Sequence, residues 1–170
     1  MRTVIIGLSF LFLIASFESA GQDTTSLINT SWVSLKTQLQ RRSDIVGNLV
    51  NVLSKSSVVD KKQLNNSKLF AIEIFKLVDA LIIKDSVSIS RVATKNNKLT
   101  QALSRALVTL EQDPKYRGSK AVMNILMELE GCENRIAVAK RDYNEACKKY
   151  NRTDLLFGLD QIDNTPKVIF

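Results

Sequence analysis

Three charged side chains stand where a packed helix would normally present apolar ones. Arg42 lies in one line of residues spaced alternately three and four apart, and Glu133 and Lys140 lie in another. Residues with this spacing share one helix face, the face that packs on neighbouring helices. A charge buried there must pair or reach water. The first line is Trp32, Leu35, Leu39, Arg42, Val46, Leu49 and Leu53, and the second is Leu126, Leu129, Glu133, Ile136, Lys140, Tyr143, Cys147 and Tyr150.

These charges predict a contact between the first long helix and the last. If the two helices are antiparallel neighbours, Arg41 or Arg42 can form a charge-assisted hydrogen bond with Glu133. Such a network would either fix the pairing of the helices or line a groove for a ligand or partner. The sequence leaves both interpretations open. The candidate members, with the polar residues around them, are Arg41, Arg42, Asp44, Asn48, Glu130, Glu133, Asn134, Arg135 and Lys140.

The rest of the chain offers few groups for catalysis. It contains no histidine, which excludes histidine-based triads, histidine-ligated zinc and imidazole pH switches. Glu130 and Glu133 could form an acid–base pair, but a solvated helix face or a salt-bridge network is the simpler explanation. Cys132 and Cys147 would stand about 22 Å apart on one helix, too far for an intrachain disulfide. We therefore expect no catalytic residue, no cofactor and no metal site.

Apolar periodicity predicts four helices and an all-α fold. They cover about residues 26–55, 61–93, 97–112 and 120–151. Asp60 and Ser119 suit the N-cap positions of the second and fourth helices, and the residue before Pro114 ends the third. Short connections favour an elongated antiparallel up-down bundle, preceded by an N-terminal hydrophobic helix. The bundle is expected at residues 22–154, with an irregular C-terminal tail at 155–170.

Residues 1–21 predict export. Arg2 precedes an apolar run at 4–17, which suits the core of a signal peptide and is shorter than the ~20 residues of a spanning helix. Ser19, Ala20 and Gly21 supply small residues for cleavage. A cleaved signal and a retained membrane anchor both stay open, and both place the bundle outside the cytoplasm.

Three segments resemble the LemA family. ELEGCENRIAVAKRDYNEACKKYN at 128–151 closely resembles the signature helix of that family, RRSDIVGNLV at 41–50 resembles its other marker, and LTQALSRALVTLEQDPKY at 99–116 resembles its third helix. Within the second segment, Gly47 stands where the family often has proline. The resemblance implies a bacterial, N-terminally membrane-inserted helical protein whose bulk lies outside the cytoplasm. It implies no catalytic residues, because the family has no established activity.

Three functions follow from these observations. The first is a noncatalytic envelope protein that acts as a scaffold or binds partner proteins at the membrane. The second is a peripheral module for anionic lipid surfaces, with which the formal net charge of +7 is compatible, although a solvated basic surface explains that charge more simply. The third is an enzyme that uses carboxylates of the fourth helix. No nucleic-acid partner and no small-molecule substrate are expected, since an exported protein rarely meets nucleic acid and the chain has no nucleophile–base pair.

Overall fold

The computed structural model describes the backbone of residues 3–80 and 86–158, with side chains from residue 26 onward. Every regular element in these ranges is a helix, so the all-α class predicted from the sequence is confirmed. The α-helices are α1 (Thr3–Leu53), α2 (Lys61–Ala80), α3 (Ser86–Leu110), α4 (Pro114–Arg117) and α5 (Lys120–Lys149), and a 3₁₀ turn follows at Thr153–Leu155.

The core forms where the apolar lines of the long helices meet. α1 packs on both α2 and α5, and α2 packs on α3. Because α1 has two large neighbours, its inner side chains are withdrawn completely from water. Each such leucine contributes roughly 1.5–3 kcal/mol of hydrophobic stabilisation. The α1 side chains with no exposed surface are Leu35, Leu39, Val46, Leu49 and Leu53.

Later residues of α1 contact earlier residues of α5, so the two helices run in opposite directions where they pack. The ring centroids of Trp32 and Tyr143 lie 5.5 Å apart. Further along α1, Arg42 meets Glu133, which precedes Tyr143 in α5. The two contacts are equally spaced on both helices, so α1 and α5 stay side by side between them.

The boundary between the second and third helices differs from the prediction. The sequence was expected to form helices at 61–93 and 97–112, but α3 begins at Ser86 and continues through the polar run at 94–98. Buried positions occur at helical spacing on both sides of Asn96, which is itself only partly exposed. The predicted break was wrong because a polar residue on the inner face of a continuous helix was taken for a helix end. Residues 81–85 lie outside the described residues.

Polar side chains define the helix starts at one end of the bundle. Asp60 Oδ1 accepts the backbone N–H groups of the second and third residues after it, at 2.9 and 3.1 Å, which confirms Asp60 as an N-cap. Ser119 is the N-cap of α5 as predicted, although its side chain makes no capping hydrogen bond. Asp113 caps the short helix α4 by accepting the backbone N–H of Lys115 at 3.1 Å.

A buried hydrogen bond joins two connections at the same end. Ser56 is 2% exposed and donates to Asp113 Oδ2 at 2.5 Å. Its Oγ also accepts the backbone N–H groups of Val58 and Val59, at 3.2 and 3.3 Å. The segment between α1 and α2 is thereby tied to the segment between α3 and α4.

The region predicted as an irregular tail begins with residues of the core. Leu155 and Phe157 are 1% and 3% exposed. The backbone N–H of Phe157 donates to Asn144 Oδ1 at 2.9 Å, and Asn144 Nδ2 donates back to the Phe157 carbonyl at 3.3 Å. Residues 159–170 lie outside the described residues, so for them the irregular tail stays a prediction.

The N-terminal hydrophobic segment stays a prediction as well. Residues 1–21 lie outside the residues whose side chains the structure describes. Within the described part of the chain, none of the helices is both long and apolar enough to cross a membrane.

Candidate functional site

Arg42 is buried where α1 meets side chains of α3 and α5. The apolar line of α1 turns position 42 inward, and its side chain is 1% exposed. Its guanidinium donates from Nη1 to Asn96 Oδ1 at 2.6 Å and from Nη2 to Thr100 Oγ1 at 2.9 Å, both on α3. Nη2 also lies 2.7 Å from Glu133 Oε1 on α5. One side chain therefore joins α1 to α3 and α5, and we call Arg42, Asn96, Thr100 and Glu133 the Arg42 network.

The electrostatics of the Arg42 network balance burial against a close counter-charge. Burial lowers the pKa of the Arg42 guanidinium, because a charge is poorly solvated inside the bundle, and the neighbouring Glu133 carboxylate opposes that shift. Arginine nevertheless stays charged in proteins. Its Nε has no hydrogen-bond partner among the described residues. The network therefore holds a full positive charge whose main compensation is one carboxylate.

Glu133 does not lie on the innermost line of α5. The sequence placed Glu133 and Lys140 on that line, but Cys132 and Ala139 take the buried positions, at 0% and 5% exposure. The Glu133 side chain is 40% exposed. Spacings of three and four fit two adjacent faces of a helix, and small apolar residues are buried more readily than charged ones. Glu133 thus has one oxygen on Arg42 while water reaches its side chain.

The remaining charged candidates lie outside the Arg42 network. Arg41 Nη2 lies 3.3 Å from Glu128 Oε1 at the surface. Arg135 Nε donates to Gln38 Oε1 at 3.2 Å. Lys140 lies beside Gly158, which follows the 3₁₀ turn. Four further candidates are also exposed: Asp44, Asn48, Glu130 and Asn134. The structure therefore brings together Arg42 and Glu133 from the predicted set and disperses the others.

Asn96 and Thr100 are the members that sequence reasoning missed. They lie four residues apart on α3, and the Thr100 hydroxyl also donates to the Asn96 carbonyl at 3.2 Å. The signal was present, because Ile89, Val92, Asn96, Leu99 and Leu103 are spaced alternately three and four apart. A single polar residue in such a line commonly fixes helix pairing. The predicted helix break at 94–96 hid that signal.

An aromatic cluster lies between α1 and α5 near the C-terminal end of α5. The Trp32 ring lies 5.5 Å from that of Tyr143 and 6.3 Å from that of Phe157, measured between centroids. The Tyr143 hydroxyl donates to the Leu155 carbonyl at 2.9 Å. Burial raises the pKa of Tyr143 well above its ordinary value. A neutral, hydrogen-bonded phenol of this kind serves packing, and it holds the C-terminal segment against α5.

The described side chains do not suggest a site for a metal ion. Among residues 26–80 and 86–158, no group of three histidine, cysteine, aspartate or glutamate residues is close enough to hold one. Burial raises the pKa of both the Cys132 and Cys147 thiols, which keeps them in the less reactive neutral form. The chemistry that the geometry shows directly is charge-assisted hydrogen bonding between helices.

The residues of this site lie in a part of the sequence that matches a known protein family. The sequence profile of the LemA family matches residues 31–158, a range that includes the Arg42 network and the aromatic cluster. No curated protein matches the chain. Since the profile covers most of the chain, the resemblance noted in the sequence is confirmed. The chain belongs to the LemA family.

Proposed function

We propose that the chain is a noncatalytic protein of the bacterial cell envelope, which associates with the membrane through its N-terminal segment and acts there as a scaffold or binding partner for other proteins. The observation that supports this most is the Arg42 network. Arg42 and Glu133, two of the charges that could have lined a ligand groove, are instead bonded to each other, and Arg42 is also bonded to Asn96 and Thr100. Their role in the proposal is to hold helices together.

The proposed architecture is an elongated antiparallel up-down bundle preceded by a hydrophobic helix. The opposite course of the contacts along α1 and α5 supports this order. Residues 1–21 would either remain as an anchor or be removed as a signal peptide. In both cases the partners are proteins of the envelope or membrane, and neither nucleic acid nor a small-molecule substrate is involved.

The catalytic alternative requires two carboxylates of α5 that act on one substrate. Glu133 is engaged by Arg42 at 2.7 Å, and Glu130 is exposed. An acid–base pair would need both groups to converge on one reacting atom. The structural role of Glu133 favours the noncatalytic proposal.

Fractionation and native size test the proposal together. The full chain should sediment with membranes or be recovered from the exported fraction, and it should run in an assembly larger than its 19.0 kDa monomer after gentle extraction. The matched variant lacks residues 4–17 and should stay in the cytosol outside that assembly. A full chain that is cytosolic and monomeric, as the deletion variant is, would overturn the proposal.

A further inference from the structure

The outward face of α2 carries three exposed apolar side chains in a row. Leu69, Ile72 and Phe75 are 57%, 44% and 39% exposed. Their spacing of three residues places them along one side of α2, which we call the α2 strip. The inner side of α2 has its own apolar line and packs on α1 and α3. The α2 strip is therefore apolar surface that does not pack in the bundle core. Contiguous exposed apolar surface commonly marks a binding site.

Lysines accompany the α2 strip. Lys68 and Lys76 stand four residues before and after Ile72, so they are its neighbours on the helix surface. Lys62 lies on the same exposed side, nearer the start of α2. None of these three ammonium groups forms an ion pair with a carboxylate of residues 26–80 or 86–158.

The acidic residues of α2 are neutralised from neighbouring helices. Glu73 Oε2 lies 2.5 Å from Lys95 Nζ on α3. Asp79 Oδ1 lies 3.6 Å from Lys36 Nζ on α1. Each negative charge of α2 thus has a cation beside it, and the three lysines of the exposed side have no paired carboxylate among the described residues. The exposed face of α2 therefore combines the apolar side chains of the α2 strip with lysines that flank them.

This combination fits an anionic lipid surface better than a protein partner. Lysine is depleted in protein–protein interfaces, because burying its ammonium is costly. At a membrane surface the lysine stem can lie along the apolar region while the ammonium reaches lipid phosphates. A helix that presents apolar side chains together with lysines can lie in the plane of the membrane–water interface. It then binds anionic lipids through burial of its apolar side chains and through electrostatic attraction of its lysines.

We infer that the exposed face of α2, formed by the α2 strip with Lys62, Lys68 and Lys76, binds the surface of anionic membranes. Its apolar side chains enter the headgroup region, and its lysines contact the lipid phosphates. The inference goes beyond the proposed scaffold role and stands without it, because it concerns a contact made by the bundle and not by residues 1–21.

A probe on α2 separates this contact from insertion of the N-terminal segment. The full chain carries Ile72→Cys labelled with a nitroxide, whose depth is read from its collision rates with oxygen and a water-soluble nickel complex. The native Cys132 and Cys147 have no exposed surface, so labelling selects position 72. The chain is studied on vesicles of phosphatidylglycerol with phosphatidylcholine and on vesicles of phosphatidylcholine alone. A second probe, at Val108 on α3, is the control, since Val108 is 56% exposed and lies on a different helix from the α2 strip.

The probe at position 72 should move from water into the headgroup region on anionic vesicles and remain in water on neutral ones. The probe at position 108 should stay in water on both. The variant Lys62→Gln/Lys68→Gln/Lys76→Gln should bind anionic vesicles more weakly, by about fivefold in affinity for each lysine removed, without loss of helical signal. A control variant that replaces three other exposed cations, Lys98→Gln/Lys148→Gln/Lys149→Gln, should keep an affinity for anionic vesicles near the original value.

Either of two results would overturn the inference: the probe at position 72 stays in water on anionic vesicles, or the two triple variants lose binding equally. If the probe stays in water on anionic vesicles but is shielded when proteins of the cell envelope are added, the face belongs to a protein partner.

Discussion

Glu133→Ala should destabilise the bundle because it leaves a buried positive charge without its carboxylate. Arg42 is 1% exposed, and its Nη2 lies 2.7 Å from Glu133 Oε1. After the substitution the guanidinium keeps only the neutral acceptors Asn96 and Thr100. Neutral acceptors compensate a desolvated charge less well than a carboxylate does. The free energy of unfolding should therefore fall.

The expected loss is about 2 kcal/mol. Removing one partner of a fully buried ion pair costs roughly 3–5 kcal/mol. The Glu133 side chain is 40% exposed, so water can enter and solvate part of the charge, which reduces the loss. A hydrogen bond to a charged group is worth about 1.5–3 kcal/mol. With a urea dependence near ~2 kcal/mol per molar, the unfolding midpoint should move down by about 1 M.

A double-mutant cycle isolates the pair. Urea unfolding of the full chain in mild detergent is followed by circular dichroism and by the fluorescence of Trp32, the one tryptophan. In the Arg42→Met background no buried guanidinium remains for Glu133 to neutralise, so Glu133→Ala should change stability by less than about 0.5 kcal/mol. The matched control is Glu130→Ala, at an exposed carboxylate three residues earlier on α5, with an expected change within about 0.5 kcal/mol. Equal costs for Glu133→Ala in both backgrounds, or no cost in either, would refute a stabilising pair.

Three further substitutions or conditions test other parts of the fold. Ser56→Ala should lower the free energy of unfolding by about 1–3 kcal/mol, because it leaves the buried Asp113 carboxylate and two backbone N–H groups without the hydroxyl; the thermal midpoint measures the loss. Gly47→Ala should raise stability by about 0.5–1 kcal/mol, since an added Cβ meets nothing within 4 Å and alanine favours the helix interior; urea unfolding measures the gain. The pKa values of Cys132 and Cys147 are raised by burial, so the folded chain keeps thiol protons that the unfolded chain loses above about pH 8.5. The stabilisation is complete below that pH and is lost as pH rises, by up to about 1.4 kcal/mol per unit and thiol, which urea midpoints at pH 8 and 9.5 should show.

Each of these predictions has a control within the chain. Ser54→Ala removes an exposed hydroxyl whose partner is a backbone carbonyl, and should change stability little. Gly158→Ala should destabilise by about 1–2 kcal/mol, because φ there is +62°. A variant with both cysteines replaced by alanine should lose less stability between the two pH values. Indistinguishable results for a variant and its control would show that the assigned contact, backbone conformation or thiol does not matter.

The helices of this chain were largely predictable, and the polar interior was predictable in part. Apolar spacing predicts the buried line of α1, including Arg42, because an uninterrupted helix repeats its inner face every three or four residues. The Arg42–Glu133 contact follows from charges of opposite sign on two such lines. The same spacing could not tell whether Glu133 or Cys132 lies innermost, since both fit a face of α5. That choice depends on the cost of burying a carboxylate, which is a property of the packed bundle.

Two features lie beyond what local patterns can reveal. A polar run such as residues 94–98 looks like a connection unless the partner of its inner residue is known, and the partner of Asn96 is Arg42, on another helix. The packing of Leu155 and Phe157 is equally non-local, since it depends on the aromatic rings that α1 and α5 present at that end. In both cases tertiary contacts decide the local structure.

Location in the cell tests the central claim most directly. Protease is added to spheroplasts that express the native chain, and the intact mass of the purified protein is measured alongside. Export predicts that residues of the bundle are cut in unbroken spheroplasts or are found in the released fraction. The mass should be either the full 19.0 kDa or the value that remains after residues 1–20 or 1–21 are removed. A full-length chain that is protected from protease until the cells are lysed, and is then soluble, would contradict an envelope role.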